Sequence, residues 1–116
     1  MPVFTVNTNV TQVPADFKQK ATEVVANSLG KPASYVAVQV NLGQNISFGG
    51  TDEPAALCDL VSIGALSETS NKKHSKALMD FLTQTLNVKP TRVYITFKNA
   101  PKGDIGFNGT TFADLL

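Results

Sequence analysis

Cysteine, histidine and tryptophan are nearly or wholly missing from this sequence. A chain with one cysteine, Cys58, cannot form an internal disulfide, so no disulfide framework can hold the fold together. Because His74 is the only histidine, one chain cannot supply four Cys or His ligands for zinc either. Any metal would need carboxylate ligands, and we expect neither a metal nor a cofactor.

The sequence also has no large excess of charge of one sign and no long hydrophobic run. The 10 basic and 9 acidic residues give a net charge of +1 and form no blocks, which argues against nucleic acid or an anionic membrane surface as the main partner. No apolar run approaches the ~20 residues of a membrane span, so we expect no membrane insertion. The N-terminus lacks the pattern of a secretory signal, which predicts synthesis in the cytoplasm.

An internal repeat is the first positive signal. The segment Lys31–Val38 reappears in outline as Lys89–Thr96, displaced by half the chain length. A chain of 116 residues has the size of one domain, so the repeat predicts a single domain, 1–116, built from similar halves at about 1–58 and 59–116.

Each half is predicted to contain a strand, a helix, a second strand and a short further strand. The alternating or helical spacing of apolar residues defines these elements. In the first half they are a strand at 3–10, a helix opening at Pro14, a strand at 35–41 and a short strand at 46–48. In the second half they are a strand at 58–66, a helix from near Asn71, a strand at 92–98 and a short strand at 105–107.

The order of these elements predicts an α/β fold made of two pseudo-symmetric βαβ units. Right-handed crossovers make the two long strands of each half parallel, giving a four-stranded mixed sheet with both helices on one face. The other face carries Gln39, Asn41, Tyr94 and Thr96 and is too polar for a core. The short strands lack partners in so small a sheet, so we expect them to pair between subunits of an oligomer.

Three features are best explained without catalysis. His74 lies on the apolar stripe of its predicted helix with no acidic partner to orient it, which favours a packed histidine over hydrolase chemistry. Cys58 has apolar neighbours and no second thiol, which favours a buried, unreactive thiol. The glycine-containing segments lack the spacing of phosphate-binding loops and are typical of turns.

Pro2, in contrast, could take part in catalysis. Removal of Met1 would expose a secondary amine, and an α-amino group titrates near ~8. Burial disfavours the charged form, so apolar neighbours could make this amine a general base near neutral pH. If Met1 were retained, its peptide bond would make the Pro2 nitrogen a non-basic amide. These two residues alone leave both cases open.

The whole pattern resembles the macrophage migration inhibitory factor family of the tautomerase superfamily, from Met1 to Ala113. The resemblance implies a homotrimer whose sheets enclose a central channel, with the helices outside. It is carried by Pro2 with Asn7-Thr8-Asn9, Gly30-Lys31-Pro32, Tyr35-Val36-Ala37-Val38, Phe48-Gly49-Gly50, Ser62-Ile63-Gly64, Arg92-Val93-Tyr94-Ile95 and Asn108-Gly109-Thr110-Thr111-Phe112.

The resemblance also implies a site between subunits with Pro2 as the catalytic residue. By position, Lys31 would bind the carboxylate of a small aromatic α-keto acid, and the backbone at Ile63 would help. The resemblance implies an aromatic wall for the substrate ring, with one residue, Tyr94, supplied by the neighbouring subunit. The wall residues are Tyr35, Tyr94, Phe107 and Phe112.

Several positions depart from the family pattern. The family's frequent pair of cysteines is reduced to Cys58, which removes the basis for dithiol oxidoreductase activity. Thr96 stands where the family often has asparagine, and Phe107 where it has tryptophan. The chain also ends in an extra Asp114-Leu115-Leu116. These changes affect the expected substrate preference more than the expected reaction.

Two functions follow from the resemblance. The first is a phenylpyruvate tautomerase, an isomerase that needs Met1 removed. The second is a signalling protein of the cytokine type, secreted without a signal peptide, that binds a cell-surface receptor and in which the pocket is incidental. A third alternative is an α/β oligomer with neither activity. The sequence does not choose among them.

Overall fold

The computed structural model describes all residues from 1 to 116. Its centre is a four-stranded sheet in the order β2-β1-β3-β4, and a separate two-stranded hairpin, β5-β6, lies near the C-terminus. The elements are β1 (Pro2–Thr8), α1 (Phe17–Leu29), β2 (Ala37–Asn41), β3 (Ala56–Ser62), α2 (Glu68–Leu86), β4 (Val93–Asn99), β5 (Gly106–Phe107), β6 (Thr110–Thr111) and α3 (Phe112–Leu115).

The sheet topology confirms the predicted α/β fold. β1 pairs in parallel with β2, and β3 pairs in parallel with β4, because a helix returns the chain to the same end of the sheet in each half. The two halves meet where β1 and β3 run antiparallel, with Pro2 opposite Ser62 and Thr8 opposite Ala56.

The core lies between one face of the sheet and the two long helices. Alternate residues of β1 and β3 point into it, as the period of a strand requires, and Phe4 and Leu60 are fully buried. The helices contribute Val25 and Leu82, which are fully buried as well. No helix is long and apolar enough to cross a membrane.

The opposite face of the sheet has no cover within the chain. Tyr94 is 67% exposed there and Leu57, its neighbour in the register between β3 and β4, is 40% exposed. Two large apolar side chains side by side on an open sheet are typical of a surface that is covered in an assembly.

The two long helices begin at residues other than those predicted, because a turn or a cap precedes each of them. α1 begins at Phe17 rather than Pro14, whose carbonyl accepts from the Phe17 amide at 3.0 Å in a preceding turn. α2 begins at Glu68 rather than near Asn71, because the Ser67 hydroxyl caps it by accepting from the Ser70 amide at 3.0 Å.

Two predicted strands are also shorter than expected. Tyr35 lies in a 3₁₀ turn, Ala33–Tyr35, so β2 begins only at Ala37. β3 ends at Ser62 rather than residue 66, because Gly64 and then Ala65 adopt left-handed backbone angles that no strand can continue through.

The predicted short strands differ most from the structure. Residues 46–48 are not a strand, and only Phe48 forms an isolated bridge, with Thr51. Phe107 lies in a strand, but β5 pairs with β6 of the same chain, because Asn108 and Gly109 have the positive φ angles of a tight hairpin turn. β5 therefore has a partner within the chain, whereas residues 46–48 have only the bridge at Phe48, and the pairing of either segment between subunits stays a prediction.

Cys58 lies on the core face of β3 and is buried, as predicted. Burial, and to a lesser extent the neighbouring Asp59 carboxylate, raise the pKa of the Cys58 thiol to about 12. Because the thiolate is the nucleophile, the folded protein presents almost no reactive form near neutral pH.

We predict that a thiol reagent at pH 8 leaves the native protein unlabelled and modifies one thiol per chain in guanidinium chloride. The native protein should also fail to catalyse glutathione-dependent reduction of insulin, since Cys58 has no resolving partner. Labelling and turbidity assays measure both. Rapid labelling of the native protein would contradict the buried, protonated state.

Candidate functional site

The candidate site lies beside the start of β1, where two cavities adjoin. They share Met1, Tyr35 and Phe112 in their walls. The first, of about 200 Å³, is completed by Lys31, Pro32 and Leu116. The second, of about 300 Å³, is completed by Val3, Ser34, Ala37, Ile105, Gly106 and Phe107.

The end of α1 brings Lys31 to this site. Gly30 ends the helix in the left-handed conformation, with φ of 67°, which glycine adopts without a steric penalty. The Lys31 amide then donates to the carbonyl of Ala26 at 3.0 Å, which fixes the direction in which the chain leaves the helix. The Lys31 ammonium donates to the Ile63 carbonyl at 3.0 Å.

The loop after β3 presents the Ile63 carbonyl. Within that loop the Gly64 amide donates to the Asn99 side-chain oxygen at 2.9 Å, and the Ala65 carbonyl accepts from His74 at 2.8 Å. These contacts hold the loop at both ends of its turn. The Lys31 side chain therefore meets a fixed backbone oxygen rather than a mobile one.

The N-terminus completes the polar side of the site. Pro2 is buried and lies opposite Ser62 in the register of β1 and β3, so the chain end emerges beside the loop that carries Ile63. Partial burial lowers the pKa of the Met1 α-amino group below its usual value of 8.0, and the positive charge of Lys31 lowers it further. The terminal amine is thus less basic than an exposed one.

Three aromatic rings form the apolar wall. Phe107 and Phe112 stack with their ring centroids 5.2 Å apart, and Tyr35 meets them edge-on at 6.2 and 6.4 Å. The β5-β6 hairpin positions Phe107, and the Thr111 hydroxyl caps α3 just before Phe112 by accepting from the Ala113 amide at 3.3 Å. Tyr35 and Phe107 are each 47% exposed, so the wall is open to a ligand.

Four of the residues that the sequence analysis assigned to a site line the two cavities: Lys31, Tyr35, Phe107 and Phe112. The Ile63 carbonyl accepts from Lys31, and Pro2 follows Met1, which lines both cavities, but Pro2 is itself buried and lines neither. Tyr94 is not part of this group within one chain. It lies on the open face of β4 and packs against Phe48, with centroids 4.8 Å apart. Its contribution to a neighbouring subunit's site stays a prediction.

The sequence analysis did not predict a role at the site for three residues: Ile105, Leu116 and Asn99. Ile105 and Leu116 are apolar residues near aromatic ones, but nothing in their spacing indicates that they would line a cavity with Met1. Asn99 ends β4, and an asparagine at a strand end gives no sign that its side chain would accept from an amide of another loop.

Two other features do not add to this site. A larger groove of about 460 Å³ lies between α1 and α2 and shares no lining residue with the two cavities; its walls include Lys73, Asp80 and Phe81. No group of three or more His, Cys, Asp or Glu side chains is arranged to hold a metal ion.

The comparison with known families shows which family the chain belongs to. The sequence profile of the family described as macrophage migration inhibitory factor (MIF) matches residues 1–113. The chain belongs to the MIF family. That family is part of the tautomerase superfamily.

Individual MIF proteins match the chain over nearly its full length. The MIF homolog of Trichinella spiralis is 47% identical over 114 residues, which cover 97% of this chain and 100% of that protein. The mouse MIF is 44% identical over 115 residues, with the same coverage of 97% and 100%.

Solved structures of MIF proteins have the same fold. The Trichinella spiralis MIF structure superposes with a TM-score of 0.93 at 46% identity, covering 95% of this chain and 99% of that one. The MIF structure from Oncomelania hupensis gives a TM-score of 0.92 at 34% identity, covering 96% of this chain and 82% of that one.

Proposed function

We propose that this protein is a keto–enol tautomerase that acts on phenylpyruvate-like α-keto acids. Pro2 is the general base once Met1 has been removed, and Lys31 binds the substrate carboxylate. The observation that carries the proposal is the position of the chain end. Met1 lines both cavities together with the aromatic rings, and partial burial and the charge of Lys31 lower the pKa of its α-amino group.

A general base is most effective when its pKa lies near the working pH. After loss of Met1 the terminal amine is the secondary amine of Pro2, one residue further along the chain, and we expect burial and the Lys31 charge to lower its pKa as they lower that of Met1. Deprotonated Pro2 takes a proton from the substrate carbon next to the keto group. The keto oxygen takes up a proton as the enol forms, so the reaction moves one proton and consumes nothing else.

Lys31 and the aromatic wall bind different parts of the substrate. The carboxylate of the substrate pairs with the Lys31 ammonium, which the Ile63 carbonyl already orients at 3.0 Å. The substrate ring packs against the half-exposed rings of Tyr35 and Phe107, and the buried Phe112 supports Phe107 by stacking on it. This arrangement holds the reacting carbon near the terminal amine.

The open face of the sheet supports a homotrimer as the functional assembly. Tyr94 and Leu57 are exposed on that face, and a neighbouring copy would cover them. We propose that the same contact supplies Tyr94 to the neighbour's site. The trimer thereby adds an aromatic residue that one chain alone does not bring to its own cavity.

A signalling role is the second candidate. The curated relatives are named as macrophage migration inhibitory factors, and that name describes an effect on cells. In this alternative the protein is exported from the cytoplasm without a signal peptide and binds a cell-surface receptor. A catalytically inactive Pro2→Gly protein separates the two, because signalling that survives the loss of turnover assigns the biological role to the surface.

We predict that Pro2→Gly lowers kcat for phenylpyruvate tautomerisation by roughly 10² to 10⁴-fold, the usual contribution of a positioned general base. Glycine keeps a terminal amine but changes its basicity and geometry. The assay follows enol formation by absorbance, and intact mass first establishes that Met1 is absent. Wild-type kinetics in the variant, or full activity in protein that retains Met1, would refute the role of Pro2.

We predict that Lys31→Ala raises KM about ten-fold or more, because it removes a charged contact shared by the ground and transition states. It should also move the acidic limb of the pH profile of kcat/KM to higher pH. Without the lysine charge the pKa of the terminal amine rises, so the base is deprotonated only at higher pH.

Lys89→Ala is the matched control for Lys31→Ala. Lys89 occupies the equivalent Lys-Pro position in the second half of the repeat and is exposed away from the site. Its substitution should change neither KM nor the pH profile. Equal effects of the two substitutions would mean that the loss of any positive charge from the protein explains the result, and not the loss of a contact with the substrate carboxylate.

We predict that the protein is a trimer at micromolar concentration by light scattering. Leu57→Asp should weaken the assembly, because it introduces a charge into the apolar part of the open face. Gln19→Asp is the control, because it adds the same charge at an exposed position of α1, on the other side of the sheet, and should leave the assembly intact. A wild-type mass of one chain would rule out the trimer.

A further inference from the structure

The single histidine joins two separate elements from inside the core. His74 is only 3% exposed, and both of its ring nitrogens have partners. Nδ1 lies 2.7 Å from the Ser28 hydroxyl oxygen, and Nε2 lies 2.8 Å from the Ala65 carbonyl oxygen. A carbonyl only accepts, so Nε2 carries the hydrogen, and in the neutral ring Nδ1 accepts from Ser28.

The two partners of His74 lie on the two chain segments that carry Lys31 and Ile63. Ser28 is in the last turn of α1, and the chain passes from there through Gly30 to Lys31. Ala65 lies in the loop after β3, two residues beyond Ile63. Lys31 and Ile63 in turn contact each other through the 3.0 Å hydrogen bond. One imidazole therefore links the backbone segments that carry both members of this pair.

The loop needs such a restraint because its backbone is strained. Ala65 has a φ of 65°, a left-handed conformation in which its Cβ approaches the following carbonyl. The Ser70 hydroxyl also donates to the Ala65 carbonyl, but at 3.2 Å, a longer contact than that of His74. The His74 hydrogen bond is thus the shortest one that holds the strained residue in place.

We propose that His74 is a positioning residue that sets the spacing between Lys31 and Ile63 and thereby prepares the lysine for a carboxylate. The inference rests on the proposed function of Lys31. Without the His74 contact, Ala65 relaxes from its left-handed conformation and the Ile63 carbonyl shifts. The Lys31 side chain then occupies more rotamers, which makes binding of the substrate less favourable.

The first test is a split between KM and kcat. His74→Phe keeps a ring that can pack against Phe97, 6.3 Å away between centroids, and removes both hydrogen bonds. We expect KM for phenylpyruvate to rise roughly 3- to 10-fold, the range for a lost hydrogen bond, while kcat changes less than about two-fold. Unchanged KM in a folded variant would overturn the proposal.

Milder and control variants keep this test decisive. Ser28→Ala removes only the contact to α1, and we expect a smaller rise in KM in the same direction. His74→Gln retains an amide donor for Ala65 and should recover part of the loss. Leu82→Ala is the control, because it removes most of a fully buried side chain of α2 and should lower stability while leaving KM unchanged.

If His74→Phe fails to fold, Ser28→Ala and His74→Gln test the proposal in its place. A wild-type KM in both of these variants would overturn it.

A double-mutant cycle separates positioning from a general loss of structure. If His74 acts through Lys31, His74→Phe should have no further effect on KM in a Lys31→Ala background. Additive effects of the two substitutions would show that His74 influences binding by another route and would contradict the proposed role.

Amide hydrogen exchange tests the His74 contacts without using activity. The Gly64 amide, which donates to Asn99, should exchange roughly 3- to 10-fold faster in His74→Phe than in the wild type. Leu82→Ala should leave the Gly64 rate unchanged, because a loop amide exchanges through local opening, while the amides of β1 exchange faster as global stability falls. An unchanged Gly64 rate in His74→Phe would overturn the inference, whereas a faster rate in a protein that shows no turnover would refute the proposed function and leave the role of His74 in positioning the loop intact.

Discussion

The antiparallel pairing of β1 with β3 is the constraint on which the rest of the molecule depends. It joins the two halves of the chain and turns Phe4 and Leu60 to the same face, where α1 and α2 cover them. The same register sets Pro2 opposite Ser62, so the N-terminus emerges beside the loop that carries Ile63. The backbone hydrogen bonds between β1 and β3 therefore set the positions of both the core residues and the N-terminus at the candidate site.

Buried polar contacts around this pairing fix loops that an apolar core alone would leave free. The Thr8 hydroxyl donates to the Ala55 carbonyl at 2.8 Å at one end of β1, and His74 holds Ala65 near the other. Arg92, just before β4, adds a more exposed set of contacts, because its guanidinium donates to the carbonyls of Phe48, Thr51, Glu53 and Pro54. A planar group with several donors suits such a cluster of carbonyls better than lysine would. Because a buried donor or acceptor without a partner is unfavourable, these contacts also select one arrangement of each loop.

The MIF-family fold was largely predictable from the residues alone, and the candidate site was not. The repeat and the spacing of apolar residues predicted both βαβ units and their parallel strands. Boundaries were wrong where a single side chain or backbone angle decided them, as at Ser67, which caps α2, and at Ala65, which ends the β3 segment. Roles for Tyr35, Phe107 and Phe112 came from resemblance, because three aromatic residues far apart in sequence carry no pattern that predicts their stacking.

The sequence by itself determined which residues are buried in each element, because strand and helix periods act over a few neighbours. It also placed Lys31 directly after a glycine that ends α1. Only the tertiary structure decided that the Lys31 ammonium meets the Ile63 carbonyl and that His74 joins Ser28 to Ala65. These contacts connect residues on different elements, and their geometry depends on sheet register and helix packing, which no local pattern specifies.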